Sequence, residues 1–378
     1  MKNIFFLMNK NKKILSFKSN PIRFGGFSFD VVESYDEPLP LSFSKQNSGL
    51  EEWIRKRKSP SNRRHIEALL NKLGATTTEG FIRVSHALGL NDTFWIKSED
   101  ENLSWEDVSL YRNKFNDVIA QIAFDGFMSD RVFSSPSPEL STDGTYAKCW
   151  DRLEDGNIYL IKRGNENFGE AGCEPYSEYY ASQIAEIICP KAVKYDLLER
   201  ENSRTGKSEV VSNCKLFTSE KTGYLPFVRI TDRIYQDAEI ERTYEAYGYG
   251  DEFHRMLVLD AIILNTDRHQ GNHGFLIDND TQKIVGAAPV FDHNQSLLSD
   301  LNNTRFMSEY EEKLTCKFPR IGVDFISSAK QVLTDDIISD LKNLRGFKFT
   351  KHPKYNLPNE RLEVLEKIIN KQIDLLIS

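Results

Sequence analysis

Two acids and a carboxamide, Asp267, Asn272 and Asp292, follow one another in an order suited to holding magnesium and nucleotide phosphates. Asp267 and Asn272 are five positions apart in Asn265-Thr266-Asp267-Arg268-His269-Gln270-Gly271-Asn272, and Asp292 closes the later run Val290-Phe291-Asp292. Magnesium takes hard oxygen ligands, which an Asn carbonyl and an Asp carboxylate supply alongside phosphate oxygens. A further carboxylate beside an attacking hydroxyl orients it and accepts its proton. The offset alone is a weak signal, since Asp and Asn are also turn formers and helix caps. Its surroundings strengthen it. An apolar run over residues 256–264 precedes the loop, Gly274-Phe275-Leu276-Ile277-Asp278 predicts a strand, Asn279-Asp280 a turn, and Lys283-Ile284-Val285-Gly286 the return strand before Asp292.

Asp267-Arg268-His269-x-x-Asn272, taken with Phe291-Asp292-His293-Asn294-Gln295-Ser296-Leu297, resembles the HipA-like kinases, including the CtkA-type bacterial Ser/Thr kinases. Their Asp-Arg-His-x-x-Asn loop is shared with the phosphoinositide kinases. The resemblance runs from about residue 138 to residue 378 and is concentrated over residues 260–298. It implies that Asp267 is the catalytic Asp and that Asn272 and Asp292 bind Mg2+. Asp292 sits in Phe-Asp-His instead of the Asp-Phe-Gly of ordinary protein kinases, which sets aside ordinary activation-loop regulation. The resemblance further implies ATP as donor, a protein Ser or Thr as acceptor, and a toxin role with a small helix-turn-helix antitoxin as partner. It also implies self-phosphorylation among Ser141, Thr142 and Thr145, without choosing one.

Other elements must bring the nucleotide to this loop. Ser141-Thr142-Asp143-Gly144-Thr145-Tyr146 is a small-polar turn whose backbone N–H groups suit phosphate oxygens. It has a single glycine and is no glycine-rich fingerprint. Lys162 ends the alternating run Asn157-Ile158-Tyr159-Leu160-Ile161-Lys162 and is expected at the nucleotide phosphates, with Lys148 as its rival. Residues 176–188 have helical periodicity. Glu178, placed near the start of that helix, matches the kinase Glu that pairs with the strand Lys, although a first-turn Glu also complements a helix dipole. Residues 209–218 predict a strand running into a hinge, where backbone groups of Lys215, Leu216 and Phe217 meet adenine. Thr334 predicts a helix cap and residues 359–377 a final amphipathic helix.

The fold expected is α+β: a bilobal kinase-like body with an added N-terminal domain, divided at 1–125, 126–228 and a mainly helical 229–378. A chain of 378 residues is long enough for this. Trp95 and Trp105 are read as core of the small N-terminal domain. The basic run over residues 53–64 is read as a solvated face, with an acidic partner or nucleic acid as the alternative. Asn62 is expected to cap the helix that follows, and Gly74 to end it. A net charge of -7 opposes nucleic-acid binding over the whole surface. The five cysteines show no metal-ligand spacing and fit free thiols in a reducing cytoplasm. His269, His273 and His293 match no zinc pattern. Neither a signal peptide nor a membrane span is expected, since the apolar start over residues 4–8 is too short. Two other classes stay open: a small-molecule (aminoglycoside-like) or phosphoinositide-type kinase, and a non-catalytic kinase-like binding module. An acidic acceptor pocket would favour the aminoglycoside reading.

Overall fold

The computed structural model describes residues 4–21, 27–43, 49–63, 65–126, 135–167, 170–203, 205–230 and 236–378, and the chain is a mixture of α-helices and antiparallel sheets. It opens with β1 (Ile4–Asn9), β2 (Lys12–Pro21) and β3 (Phe27–Ser34), which with β4 (Phe94–Ser98) make a sheet ordered β3-β2-β1-β4. Phe5, Leu7 and Phe17 turn inward from these strands. Between β3 and β4 come α1 (Gly49–Arg57), α2 (Ile66–Leu73) and α3 (Thr78–Ser85), whose Trp53, Leu69 and Phe81 complete that core. The Lys10-Asn11 turn between β1 and β2 carries no glycine, which is why their pattern does not announce a hairpin. Asn62 does not cap α2: the helix starts at Ile66, preceded by His65 in a left-handed conformation, and Gly74 ends it. Arg64 lies outside the described residues. After β4 come α4 (Trp105–Val108) and α5 (Asp117–Asp125), and both Trp95 and Trp105 are buried.

The next sheet is built from β5 (Lys148–Arg152) and β6 (Ile158–Lys162), followed by the short pair β7 (Glu166–Asn167) and β8 (Glu170–Ala171) and the helix α6 (Glu174–Ile188). β9 (Tyr195–Asn202) and β10 (Lys207–Lys215) complete it in the order β5-β6-β10-β9. Its two faces differ as strand alternation requires. Cys149, Ile161 and Val211 pack on Ala120 and Phe124 of α5, so the N-terminal region covers the back of this sheet.

β11 (Thr222–Pro226) leads to α7 (Asp237–Ala246), α8 (Gly250–Ile263) and the hairpin β12 (Gly274–Asp278) and β13 (Ile284–Ala287). The hairpin stands where the sequence puts it, but it is not alone: β11 pairs with β12 to make a three-stranded sheet. Thus residues before 229 contribute a strand to the part expected to be helical apart from its hairpin. The chain ends with α9 (Asn303–Thr315), α10 (Phe325–Lys330), α11 (Asp335–Leu344) and α12 (Asn359–Ile377). Thr334 caps α11 by accepting the Ile337 N–H. α12 buries Leu362, Leu365, Ile369, Ile373 and Leu376, a stripe at helical spacing. No disulfide joins any of the five cysteines, and among the described residues no helix is long and apolar enough to cross a membrane.

Candidate active site

A cleft of about 870 Å³ lies between the β5-β6-β10-β9 sheet and the loop that follows α8, within the usual size for small-molecule sites. Strand register decides what faces it. Lys148 of β5 and Ser212 of β10 are both direct cross-strand partners of Lys162. The three side chains therefore leave the same face of the sheet. Lys162 Nζ donates to Glu178 Oε1 and, at 2.8 Å, to Asp292 Oδ1. Glu178 is 1% exposed, and its second oxygen accepts the Ser212 hydroxyl. The sequence misplaces Glu178 slightly. Because α6 begins at Glu174, it is Glu174 that occupies the first turn, and Glu178 sits one turn deeper.

Burial by itself would strip the proton from Lys162, but Asp292 and Glu178 hold it well above the ordinary lysine value. Burial also opposes charge on Asp292, yet Lys162 and then Lys148 keep its carboxyl well below the usual carboxylate range. Asp292 has a φ of 60°, a left-handed conformation that Asp tolerates better than most residues. Its N–H donates to Tyr195 Oη at 2.9 Å, and the Tyr195 ring lies 5.6 Å from Lys162 Nζ. Lys148 stands beside Lys162, and its Nζ donates to the Asp143 carbonyl at 2.8 Å. Burial and the neighbouring Lys162 charge lower Lys148 to about 8.

Across the cleft, a buried arginine sets the loop. Arg268 grips Asp260 of α8 with two hydrogen bonds, Nε to Oδ2 at 3.0 Å and Nη2 to Oδ1 at 2.9 Å. Its Nη1 donates to the Asn272 carbonyl at 3.1 Å and to the Phe291 carbonyl. One guanidinium thus fixes the loop, the helix before it and the peptide that carries Asp292. The Asn272 Nδ2 donates to the Asp267 carbonyl at 3.1 Å, which leaves its Oδ1 as the oxygen a cation can use. Burial, joined by the Asp292 charge, raises the Asp267 carboxyl, while His269 and Arg320 oppose that shift. A raised carboxyl is a better proton acceptor near neutral pH.

The histidines are structural here. His269 Nδ1 accepts the Gly271 N–H at 3.0 Å and props the loop. His273 meets Tyr244 Oη at 3.0 Å, and burial, then Arg268, lower it to about 3. Among the described residues the one grouping of metal-type ligands is Glu241, Glu245 and His254, none of which lines the cleft.

Ser141, Thr142, Gly144 and Thr145 line the roof of the cleft. Gly144 has a φ of 92°, which any side chain would strain, and a Cβ there would fall 2.3 Å from Lys148 Nζ and force that ammonium to move. The Thr142 hydroxyl donates to the Pro138 carbonyl at 2.6 Å. Lys215, Leu216 and Phe217 line the far end, where the Leu216 N–H is taken by the Ile158 carbonyl at 2.8 Å.

Every residue picked from the sequence for this site borders the cleft except Glu178, which is buried behind Lys162. Sequence reasoning missed Asp260, Tyr195, Ser212 and Tyr146, which lines the cleft with its hydroxyl accepting the Gln295 Nε2–H at 2.8 Å. Asp260 left a signal, being the one acid in the apolar run 256–264. Ser212 could be found only through the strand register, and Tyr195 and Tyr146 left none.

Neither a protein-family model nor a curated protein matches the chain. Solved structures that overlap it include the proinflammatory kinase CtkA of Helicobacter pylori, at 17% identity over 61% of this chain and 92% of that one, with a TM-score of 0.43. An N-terminal fragment of LepB from Legionella pneumophila overlaps at 13% identity, 61% and 46% coverage and a TM-score of 0.25. The MAP kinase LmaMPK10 from Leishmania major does so at 13%, 66% and 80%, and 0.23. At these scores the reading of the site rests on its own geometry.

Proposed function

We propose that the chain is an ATP- and Mg2+-dependent phosphotransferase of bilobal kinase type that acts on a protein Ser or Thr hydroxyl. The observation that carries this reading is the Lys162 bridge between Glu178 and Asp292, in one cleft with Asp267 and Asn272. Lys162, oriented by Glu178, holds the α and β phosphates. The Asn272 Oδ1 and the Asp292 carboxylate are the hard oxygens that would hold magnesium, and that donor set fits the ion. Bound magnesium supplies neutralisation of phosphate charge. Asp267 orients the acceptor hydroxyl and takes its proton. The 141–145 turn covers the phosphates, and the backbone of Lys215, Leu216 and Phe217 meets adenine.

The cleft lining carries four Asp but six Lys and Arg, so it lacks the excess of acid that would attract a polycationic aminoglycoside.

The test is purified protein with labelled ATP, magnesium and cell extract. Asp267→Ala should abolish transfer, by at least about 10²-fold, and still bind nucleotide. Asp292→Ala should lose magnesium-dependent nucleotide binding. Wild-type transfer by either variant would sink the assignment.

A further inference from the structure

The basic run over residues 53–64 is only in part the solvated face its composition suggests, with Arg55 exposed. Trp53 and Ile54 are buried, Arg57 is locked to Asp92 at 2.6 and 3.0 Å, and Arg63 is 2% exposed. Arg63 sits in the turn before α2, directly behind the 141–145 turn. Its Nη1 donates to the carbonyls of Glu139 (2.9 Å) and Thr142 (3.3 Å), and its Nη2 to the carbonyl of Lys148 (2.6 Å). Ser59 Oγ, from the same stretch, lies 2.7 Å from the Glu139 and Thr142 carbonyls.

No carboxylate among the described residues is hydrogen-bonded to this guanidinium. Glu139 instead spends its side chain on the Trp150 N–H at 2.8 Å and the Ser137 hydroxyl. Burying an arginine on carbonyl oxygens is costly, and the nearby Glu139 and Asp143 charges ease that cost without a hydrogen bond. Burial lowers it only to about 10, so it stays charged at neutral pH. Two consequences follow. The carbonyls on either side of the turn point at Arg63, and a trans peptide then aims the next N–H, that of Asp143, the opposite way. The positive charge also lies under a backbone that would receive phosphates.

We propose that Arg63, supplied by the N-terminal region, is a positioning residue of the nucleotide site that shapes the 141–145 turn and strengthens its hold on phosphate. The proposal rests on the kinase reading above. It makes the N-terminal region part of the nucleotide site.

The test compares full-length wild type with Arg63→Met, Arg63→Lys and the exposed-surface control Arg55→Met. Mg-ATP and adenosine binding are titrated in parallel, KM for ATP and kcat are measured, and thermal midpoints are recorded. Arg63→Met should weaken Mg-ATP binding and raise its KM by about tenfold, with kcat at saturation and adenosine binding nearly unchanged. Arg63→Lys, which keeps the charge but loses the fork, should fall between the two. Arg55→Met should match wild type. Wild-type Mg-ATP affinity in Arg63→Met, or an equal loss of adenosine and ATP, overturns the proposal. If Arg63→Met does not fold, Arg63→Lys decides alone, and wild-type ATP affinity there overturns it. A wild-type protein that binds no Mg-ATP overturns the kinase reading itself and takes this inference with it.

Discussion

Lys148 and Lys162 are cross-strand partners on one face of one sheet, yet their surroundings give them different charges to carry. Lys162 has a carboxylate on either side and keeps its proton. Among the described residues Lys148 has only the Asp143 carbonyl as a hydrogen-bond partner, with another ammonium next to it. Burial, then Lys162, bring it to about 8, so it is charged below that pH and loses its charge above it. If its charge helps hold phosphates, affinity for ATP must be present on the acid side and fade as pH rises through that value. We expect KM for ATP to climb about tenfold between pH 7 and 9 in the wild type. Lys148→Met should start high and stay flat over the same range, whereas Lys162→Met should lose transfer throughout. A flat wild-type profile would remove Lys148 from the phosphate site. The bound nucleotide raises the pKa of this lysine, so kcat should bend at a higher pH than kcat/KM.

At the scale of elements, the loop depends on α8 through one ion pair. Arg268 is 1% exposed and Asp260 3%. Asp260→Ala would leave a buried guanidinium unpaired, at a cost of about 3–5 kcal/mol. The expected outcome in urea unfolding is a midpoint shift of that size, together with lost transfer, because Arg268 also holds the Asn272 and Phe291 carbonyls. A stable, active Asp260→Ala variant would show that the loop is set by something else. The hairpin, α11 and α12 were legible because their signals are local: a polar turn between alternating runs, a Thr cap, an apolar stripe. Asp267, Asn272 and Asp292 were legible because their spacing is fixed by that same short helix–loop–hairpin path. The N-terminal sheet was not, since its pairings hang on tertiary packing. β11 was not either, because its partner β12 lies some fifty residues downstream. The basic run misled for the same reason. Residues 53–64 look solvated until the turn they pack against, far along the chain, is in place.

Over the whole molecule, the N-terminal region touches both walls of the cleft. On the sheet side, Arg63 and Ser59 hold the 139–148 backbone, and Arg152 reaches back to the carbonyls of Leu110 and Tyr111. On the other side, Asn9 donates to the Asn279 carbonyl at 2.7 Å, the Tyr224 N–H donates to the Asn91 carbonyl at 2.7 Å, and Arg229 donates to the Lys56 carbonyl at 2.6 Å. Between them, the Thr218 hydroxyl, three residues beyond β10, donates to the Leu90 carbonyl. A body bracketed in this way has little freedom to open as two independent halves. Local opening of the turn must therefore strain the bracket, and stabilising the turn must stabilise the bracket too. Amide hydrogen exchange reads this directly. Adding a non-hydrolysable ATP analogue with magnesium should slow exchange over residues 141–146, and also over residues 66–73 of α2, which do not line the cleft. The Arg63→Met variant should keep whatever protection adenine gives near residues 215–217 and lose the coupled protection of 66–73. Protection confined to the cleft in the wild type would mean that the N-terminal region is carried by the catalytic body without being mechanically joined to it.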